Sequence, residues 1–221
     1  MASDLVLFNA DALVAAAKRA GVPLYLAAAL IRQESSGRNV YGNDWGGMDY
    51  QDVLDGVDML VAQKIADPAR LGIGGWSYGG FLSAWAVTHG DRFKAAIVGA
   101  GPVDMTAMAR ITDTPDFTTG YFGEPSAHLA DLDRVSPIRL LDHVHTPVLV
   151  LHGEQDTRVP VTLGLEFYRG LKLLGKPTEM VRYPREPHWF HEPEHQAADE
   201  AGKRHGMGKS GHHSVSSGIL R

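Results

Sequence analysis

The sequence G-W-S-Y-G at residues 75–79 lies between a short apolar segment, residues 70–74, and a stretch of helical character, residues 79–89. Small residues on both sides of a sharp turn let a strand and the helix that follows it approach closely, which exposes the central serine. This is the strand–turn–helix context that a G-x-S-x-G motif requires. The feature predicts an α/β fold with Ser77 at the carboxyl end of a strand.

Helical and strand patterns alternate in the rest of the middle region. The apolar pattern predicts strands at residues 70–74, 93–98, 147–151 and 178–183. It predicts helices at residues 49–64, 79–89, 136–143 and 162–174. Residues 106–134 have no clean period and are expected to form a cap or long loop. Since the 147–151 run is uninterruptedly apolar, the sheet is predicted to be parallel and buried on both faces.

Composition excludes several classes of protein. The chain has 221 residues, a net charge of -5 and no cysteine. The charge offers no electrostatic footprint for nucleic acid, and the lack of cysteine excludes disulfides, thiol catalysis and thiolate-bound zinc. The longest apolar stretch, residues 22–31, is too short for a membrane span, and residues 1–8 lack the basic start of a secretory signal. A cytoplasmic protein without a membrane or nucleic-acid partner is expected.

A nucleophilic serine needs a histidine base, which in turn needs an acid to orient it. On this kind of sheet the chain order is serine, acid, histidine. Asp156 follows a predicted strand in the loop at its carboxyl end, where Glu154 is the alternative acid. His188 follows the last predicted strand within a short loop, with His191 and His195 as alternatives.

Further candidates complete the predicted site. The backbone N–H of Tyr78, at the start of the helix, is the predicted oxyanion donor. The aromatic side chains of Trp76, Tyr78, Trp189 and Phe190 are candidates for an apolar acyl pocket, with core packing as the alternative. No metal or organic cofactor is expected. The H-E-P-E-H string at residues 191–195 matches H-E-x-x-H, but Pro193 interrupts the helix that zinc binding requires.

Four stretches together resemble the catalytic domain of the prolyl oligopeptidase family, in particular its acylaminoacyl- and dipeptidyl-peptidase-like branch. They are WGGMDYQDV at 45–53, GGWSYGG at 74–80, LHGEQDTRVP at 151–160 and YPREPH at 183–188. The resemblance runs almost continuously over residues 45–196. It implies an α/β-hydrolase that cleaves short peptides, acyl-amino acids or small esters through an acyl-enzyme. In that reaction Ser77 is the nucleophile, His188 the general base and acid, and Asp156 its orienter.

The chain departs from the family pattern before residue 45. We find no segment for an N-terminal β-propeller, nor for the early strands that carry a second oxyanion donor, and Tyr41-Gly42 is a poor substitute. The fold is therefore expected to be the C-terminal part of an α/β-hydrolase sheet with an incomplete oxyanion hole and an unpaired edge at residues 71–74. Such an edge could pair with a second copy, giving a homo-oligomer. The alternative function is a catalytically silent remnant or oligomerising scaffold.

The N-terminal segment has a different character. The runs AAAKRAGVP at 15–23 and AAALIRQESSG at 27–37 weakly resemble the start of a lysozyme-like lytic transglycosylase domain, in which Glu34 matches the general acid. Because the rest of that domain is missing, Glu34 is expected to be a solvent-facing helix residue. We therefore predict a helical segment of separate origin (1–44), a truncated hydrolase domain (45–200) and a flexible tail (201–221).

Overall fold

A computed structural model describes residues 44–197 of the chain. The predicted N-terminal helical segment, including Glu34 and Tyr41-Gly42, and the predicted tail at 201–221 lie outside the described residues. The domain boundaries derived from the sequence therefore stay predictions.

The described residues form an α/β fold around a parallel sheet of four strands, as the sequence predicts. The strands pair in chain order: β1 (Gly72–Trp76), β2 (Ala95–Gly99), β3 (Val148–Gly153) and β4 (Thr178–Tyr183). Trp76 is in register with Gly99, and Gly99 with Leu151, so the carboxyl ends of the strands lie together at one end of the sheet. Loops that follow the carboxyl ends of the strands can bring together residues that are far apart in the sequence.

Three helices in the described residues have 11 or more residues each. They are α1 (Met48–Ala62), α2 (Tyr78–Thr88) and α6 (Val161–Leu173). Helix α2 packs on β1 and β2, and α6 packs on β3 and β4. Every residue of α2 from Gly80 to Thr88 is buried, which matches a sequence that is apolar on all sides of the helix. Within residues 44–197, no helix combines the length and apolar character needed to cross a membrane.

The region predicted as a cap or long loop contains three short helices, α3 (Met105–Ile111), α4 (Pro115–Phe122) and α5 (Leu129–Arg134). The carboxylate of Asp104 caps α3 by accepting from the Ala107 N–H at 2.8 Å. Each helix has only six to eight residues, which is about two turns. The hydrophobic period therefore has no room to repeat, and the sequence pattern missed these helices. A 3₁₀ segment, Pro137–His143, follows where a short helix is predicted.

Trp45 joins the first helix to the rest of the core. It is 2% exposed, and its ring lies 4.7 Å from that of Tyr78 and 5.7 Å from that of Phe122. The Tyr78 hydroxyl donates to the fully buried carboxylate of Asp49 in α1. The segment 45–53 therefore packs against the start of α2, directly behind the turn that carries the serine.

Candidate active site

Ser77 occupies the turn between β1 and α2 with backbone angles of φ 59° and ψ -117°. These angles are strained for a residue with a side chain, so the surrounding structure must enforce them. The Ser77 N–H donates to the Gly99 carbonyl at 2.8 Å, and its own carbonyl accepts from the Phe81 N–H at 3.0 Å. Ser77 is thereby fixed between a neighbouring strand and the first turn of the helix.

Glycines beside Ser77 allow the close approach that the turn needs. A Cβ atom on Gly75 would lie 2.5 Å from the Gly79 carbonyl carbon, and one on Gly80 would lie 2.2 Å from the Gly99 oxygen. Both contacts are with backbone, which cannot move aside as a side-chain tip can. The glycines at positions 75 and 80 are therefore dictated by the packing between β1, β2 and α2.

Asp156 and His188 are brought together by the loops that follow β3 and β4. Oδ2 of Asp156 lies 2.8 Å from Nδ1 of His188, and the two residues are only 4% and 7% exposed. The other oxygen, Oδ1, accepts from the Val159 N–H at 2.9 Å. Because the carboxylate accepts at Nδ1, that nitrogen carries the proton of the neutral imidazole and Nε2 is left as the basic atom.

A second histidine, His152, lies beneath the same carboxylate. It is fully buried, and its Nε2 lies 2.8 Å from the Val159 carbonyl and 3.5 Å from Oδ2 of Asp156. A carbonyl only accepts, so Nε2 carries the hydrogen. Within the described residues the buried Nδ1 has no hydrogen-bond partner. The motifs in the sequence did not point to His152, although a histidine near the end of an apolar strand is a usable signal.

These contacts keep Asp156 ionised. Burial alone would raise the pKa of its carboxyl, but the hydrogen bonds from His152, His188 and the Val159 N–H outweigh it and lower the pKa to about 2. At neutral pH the carboxylate is therefore charged, and it can hold the imidazole in one tautomer and stabilise its protonated form.

The predicted aromatic residues fall into two different environments. Trp76 donates its indole N–H to the His188 carbonyl at 2.9 Å, and it packs edge-on against Phe190 with centroids 5.0 Å apart. Both rings pack against a small buried cluster formed by Ile97, Leu151 and Tyr183. Trp189 is 65% exposed and lies perpendicular to the His188 imidazole at 5.0 Å. The Tyr78 side chain, in contrast, points to Asp49 and the core, so its contribution to the site is limited to the backbone.

The alternative acid and bases have other partners. Glu154 forms an ion pair with Arg182 at 3.2 Å. His195 lies 2.8 Å from the carboxylate of Glu186, and the exposed His191 donates its backbone N–H to that same carboxylate. Of the predicted acids and bases, Asp156 and His188 are the pair that the structure brings into contact.

One group of side chains near the site could in principle hold a metal ion. Ligand atoms of Glu186, Glu192 and His195 lie within 4.8 Å of one another. However, Arg185 already binds both oxygens of Glu192, at 2.8 and 2.7 Å, and Glu186 accepts from two backbone N–H groups. Helical structure begins only at Pro193, so the H-E-x-x-H string does not lie on one continuous helix. The group is a satisfied hydrogen-bond network.

Comparison with known proteins extends this description. The model of the "Prolyl oligopeptidase family" matches residues 37–205. The uncharacterized peptidase YuxL of Bacillus subtilis (strain 168) is 36% identical over 154 residues, which are 68% of this chain and 23% of the relative. The acylamino-acid-releasing enzyme of Arabidopsis thaliana is 34% identical over 159 residues, 67% of this chain and 21% of the relative. The chain thus spans under a quarter of the length of these relatives.

Two solved structures share the fold. Acylaminoacyl peptidase of Pyrococcus horikoshii superposes with a TM-score of 0.71 at 28% identity, over 78% of this chain and 30% of that one. A puromycin-hydrolyzing peptidase of Mycobacterium tuberculosis superposes with a TM-score of 0.72 at 30% identity, over 76% of this chain and 26% of that one. In both cases the similarity covers the greater part of this chain.

Proposed function

This chain belongs to the prolyl oligopeptidase family of serine peptidases, and we propose that it hydrolyses short peptides, acyl-amino acids or small esters through an acyl-enzyme on Ser77. One observation carries the proposal. A buried, hydrogen-bonded Asp156–His188 pair lies at the carboxyl ends of the strands, as does the serine held in a strained turn.

The proposed reaction starts with a proton transfer. Nε2 of His188 takes the proton from Oγ of Ser77 while that oxygen attacks the substrate carbonyl, forming a tetrahedral oxyanion. Asp156 keeps Nδ1 of His188 protonated and stabilises the imidazolium. The proton then passes from Nε2 to the leaving amine or alkoxide, and the acyl group remains on Ser77. In the second half of the reaction His188 deprotonates a water that attacks the acyl carbonyl, the bond to Oγ breaks, and the proton returns from Nε2 to Oγ as the acid leaves.

The oxyanion needs donors close to the serine. The Tyr78 N–H lies at the first position of α2, where backbone amides point out of the helix end and the helix dipole favours negative charge. We assign it as an oxyanion donor. Removing one such donor from an enzyme typically costs about 10²–10³ in rate, so the donor count decides how fast this site works.

The substrate class rests on the relatives. The relatives are named for the release of acylated amino acids, for dipeptidyl-peptidase activity and for the hydrolysis of puromycin. In this chain the exposed indole of Trp189 beside His188 offers an apolar surface for a side chain or acyl group of such a substrate. The Trp76 ring also lies near His188, with centroids 6.1 Å apart, and Phe190 packs against Trp76.

A fluorophosphonate probe tests the proposal directly. The purified full chain is incubated with the probe and weighed by mass spectrometry, alongside Ser77→Ala and the exposed-serine control Ser126→Ala. We expect a single adduct on the wild type and on Ser126→Ala, and none on Ser77→Ala. A folded wild type that forms no adduct would instead support the silent, scaffold-like alternative.

A further inference from the structure

The carboxylate of Glu186 is almost completely buried, at 1% exposure, two residues before His188 in the chain. It accepts three hydrogen bonds: from the His191 N–H at 2.7 Å, from the Glu192 N–H at 2.9 Å and from Nδ1 of His195 at 2.8 Å. Burying a charged group is costly unless donors surround it, and here they do. Burial opposes ionisation, yet these hydrogen bonds outweigh it and hold the pKa of the Glu186 carboxyl below its ordinary value.

The three donors all lie beyond His188 in the sequence, so the side chain of Glu186 reaches across the segment that carries the imidazole. The two N–H groups precede the helical turn at residues 193–197, and the imidazole of His195 belongs to that turn. The carboxylate of Glu186 therefore holds the segment that follows His188 in the sequence.

The backbone of Glu186 holds the segment that precedes His188 in the sequence. Its carbonyl accepts from the Gln155 N–H at 2.9 Å, next to Asp156 in the loop after β3. Gly153 is packed so closely here that a Cβ atom on it would lie 2.4 Å from the Glu186 oxygen. One residue thus ties the acid loop to the start of the base loop through its backbone, and to the end of the base loop through its side chain.

We propose that Glu186 is a positioning residue: its backbone carbonyl fixes the segment before His188, its carboxylate fixes the segment after it, and together they keep the imidazole aligned with Asp156 and Ser77. The proposal rests on the proposed role of His188 as general base. Glu186 itself is not assigned a contact with substrate. Its part is to remove the freedom of the base loop, because a displacement of about 1 Å at a reacting group can cost about 10² in rate.

The substitution Glu186→Gln tests this in the full chain. A glutamine has one accepting oxygen, so at least one of the three donors loses its partner while the side chain keeps its size. Glu194→Gln, the same change at an exposed position of the neighbouring turn, is the matched control. We expect Glu186→Gln to slow fluorophosphonate labelling of Ser77 by about ten- to a hundredfold, and Glu194→Gln to leave the rate unchanged.

A second measurement separates positioning from simple support of the fold. The proton on Nδ1 of His188, hydrogen-bonded to Asp156, gives a downfield NMR resonance that is identified by its loss in His188→Asn. Glu186→Gln should shift or broaden this resonance, and Glu194→Gln should not. A variant that melts at a lower temperature but keeps both the wild-type labelling rate and the resonance would overturn the proposal.

The outcomes also separate this inference from the proposed function. If the wild type labels and Glu186→Gln labels equally fast, the positioning role is wrong and the hydrolase function stands. If the wild type does not label at all, the function fails, and the NMR resonance alone decides whether Glu186 positions His188. Should Glu186→Gln not fold, His195→Ala removes one donor from the same carboxylate, and an unchanged labelling rate and resonance in that variant would overturn the proposal.

Discussion

At the scale of single residues, Asp156 gathers donors from three parts of the chain. His152 is the second-last residue of β3, Val159 lies in the same loop as Asp156, and His188 follows β4. The sequence predicted Asp156 and His188 because a motif fixes their chain order and each follows an apolar strand. The orienting contacts could not be predicted in this way. The carboxylate of Glu186 accepts hydrogen bonds from backbone N–H groups, whose positions the sequence does not show. No motif distinguishes Glu186 from the other charged residues of its turn.

The ionisation of Asp156 gives a prediction for stability against pH. Its pKa in the folded protein, about 2, lies below the ordinary 3.8. Its charge therefore stabilises the fold fully above pH 4 or so, and this contribution disappears as the pH falls towards about 2. From about pH 5 to about pH 3 the wild type should lose about 1 kcal/mol more unfolding free energy than Asp156→Asn.

Urea unfolding at the two pH values measures this difference, with the exposed-residue variant Asp91→Asn as control. Asp91→Asn should follow the wild type. An Asp156→Asn protein with the same pH dependence as the wild type would show that the carboxyl is not held ionised by these contacts.

At the scale of elements, the strands and longer helices were the most predictable parts. Strand β4 has the predicted bounds, whereas β1 begins at Gly72 instead of residue 70. The reason is local: Pro68–Arg70 forms a 3₁₀ turn capped by Asp67, whose carboxylate accepts from the Ala69 N–H at 2.9 Å. The glycines of β1 carry no side chains to mark its period. For α3, α4 and α5 the repeats are too short to detect.

The junction of β1, α2 and β2 gives a second prediction, in which adjacent glycines act as variant and control. Gly80→Ala places a methyl group 2.2 Å from the Gly99 oxygen, so it should destabilise the fold by about 1–3 kcal/mol or more. Gly79→Ala meets no atom within 4 Å and removes a flexible residue from a helix, so it should be neutral or stabilise by up to about 1 kcal/mol.

Denaturant midpoints of the two variants check the prediction. Equal midpoints would mean that α2 does not approach β2 as closely as the structure shows. The turn that carries Ser77 would then have room for residues other than glycine.

At the scale of the whole molecule, the resemblance drawn from four sequence stretches is confirmed: the chain is a member of the prolyl oligopeptidase family with an α/β sheet. In the described part of the chain, β1 pairs with β2 on one side, and its other side has no strand beside it. An open strand edge can recruit a second chain. Association of two copies through β1 therefore stays a prediction of the sequence analysis.

Sedimentation of the full chain tests this association. We expect a dimer or larger species whose proportion grows with protein concentration. Gly72→Pro is the variant that tests the edge, because proline cannot donate a backbone hydrogen bond there. Ile73→Lys would be a less specific test, because it would disturb the core. A single monomeric species over the whole concentration range would contradict association through this edge.

The sequential order of the strands has a consequence for how the protein is made. Strands β2, β3 and β4 each pair with the strand before them, so the sheet can grow strand by strand as the chain leaves the ribosome. Ser77 emerges first, Asp156 follows, and His188 arrives only after β4. The turn that carries Ser77 therefore forms before Asp156 and His188 are available, and the proposed activation of Ser77 has to wait until the segment after β4 has been added.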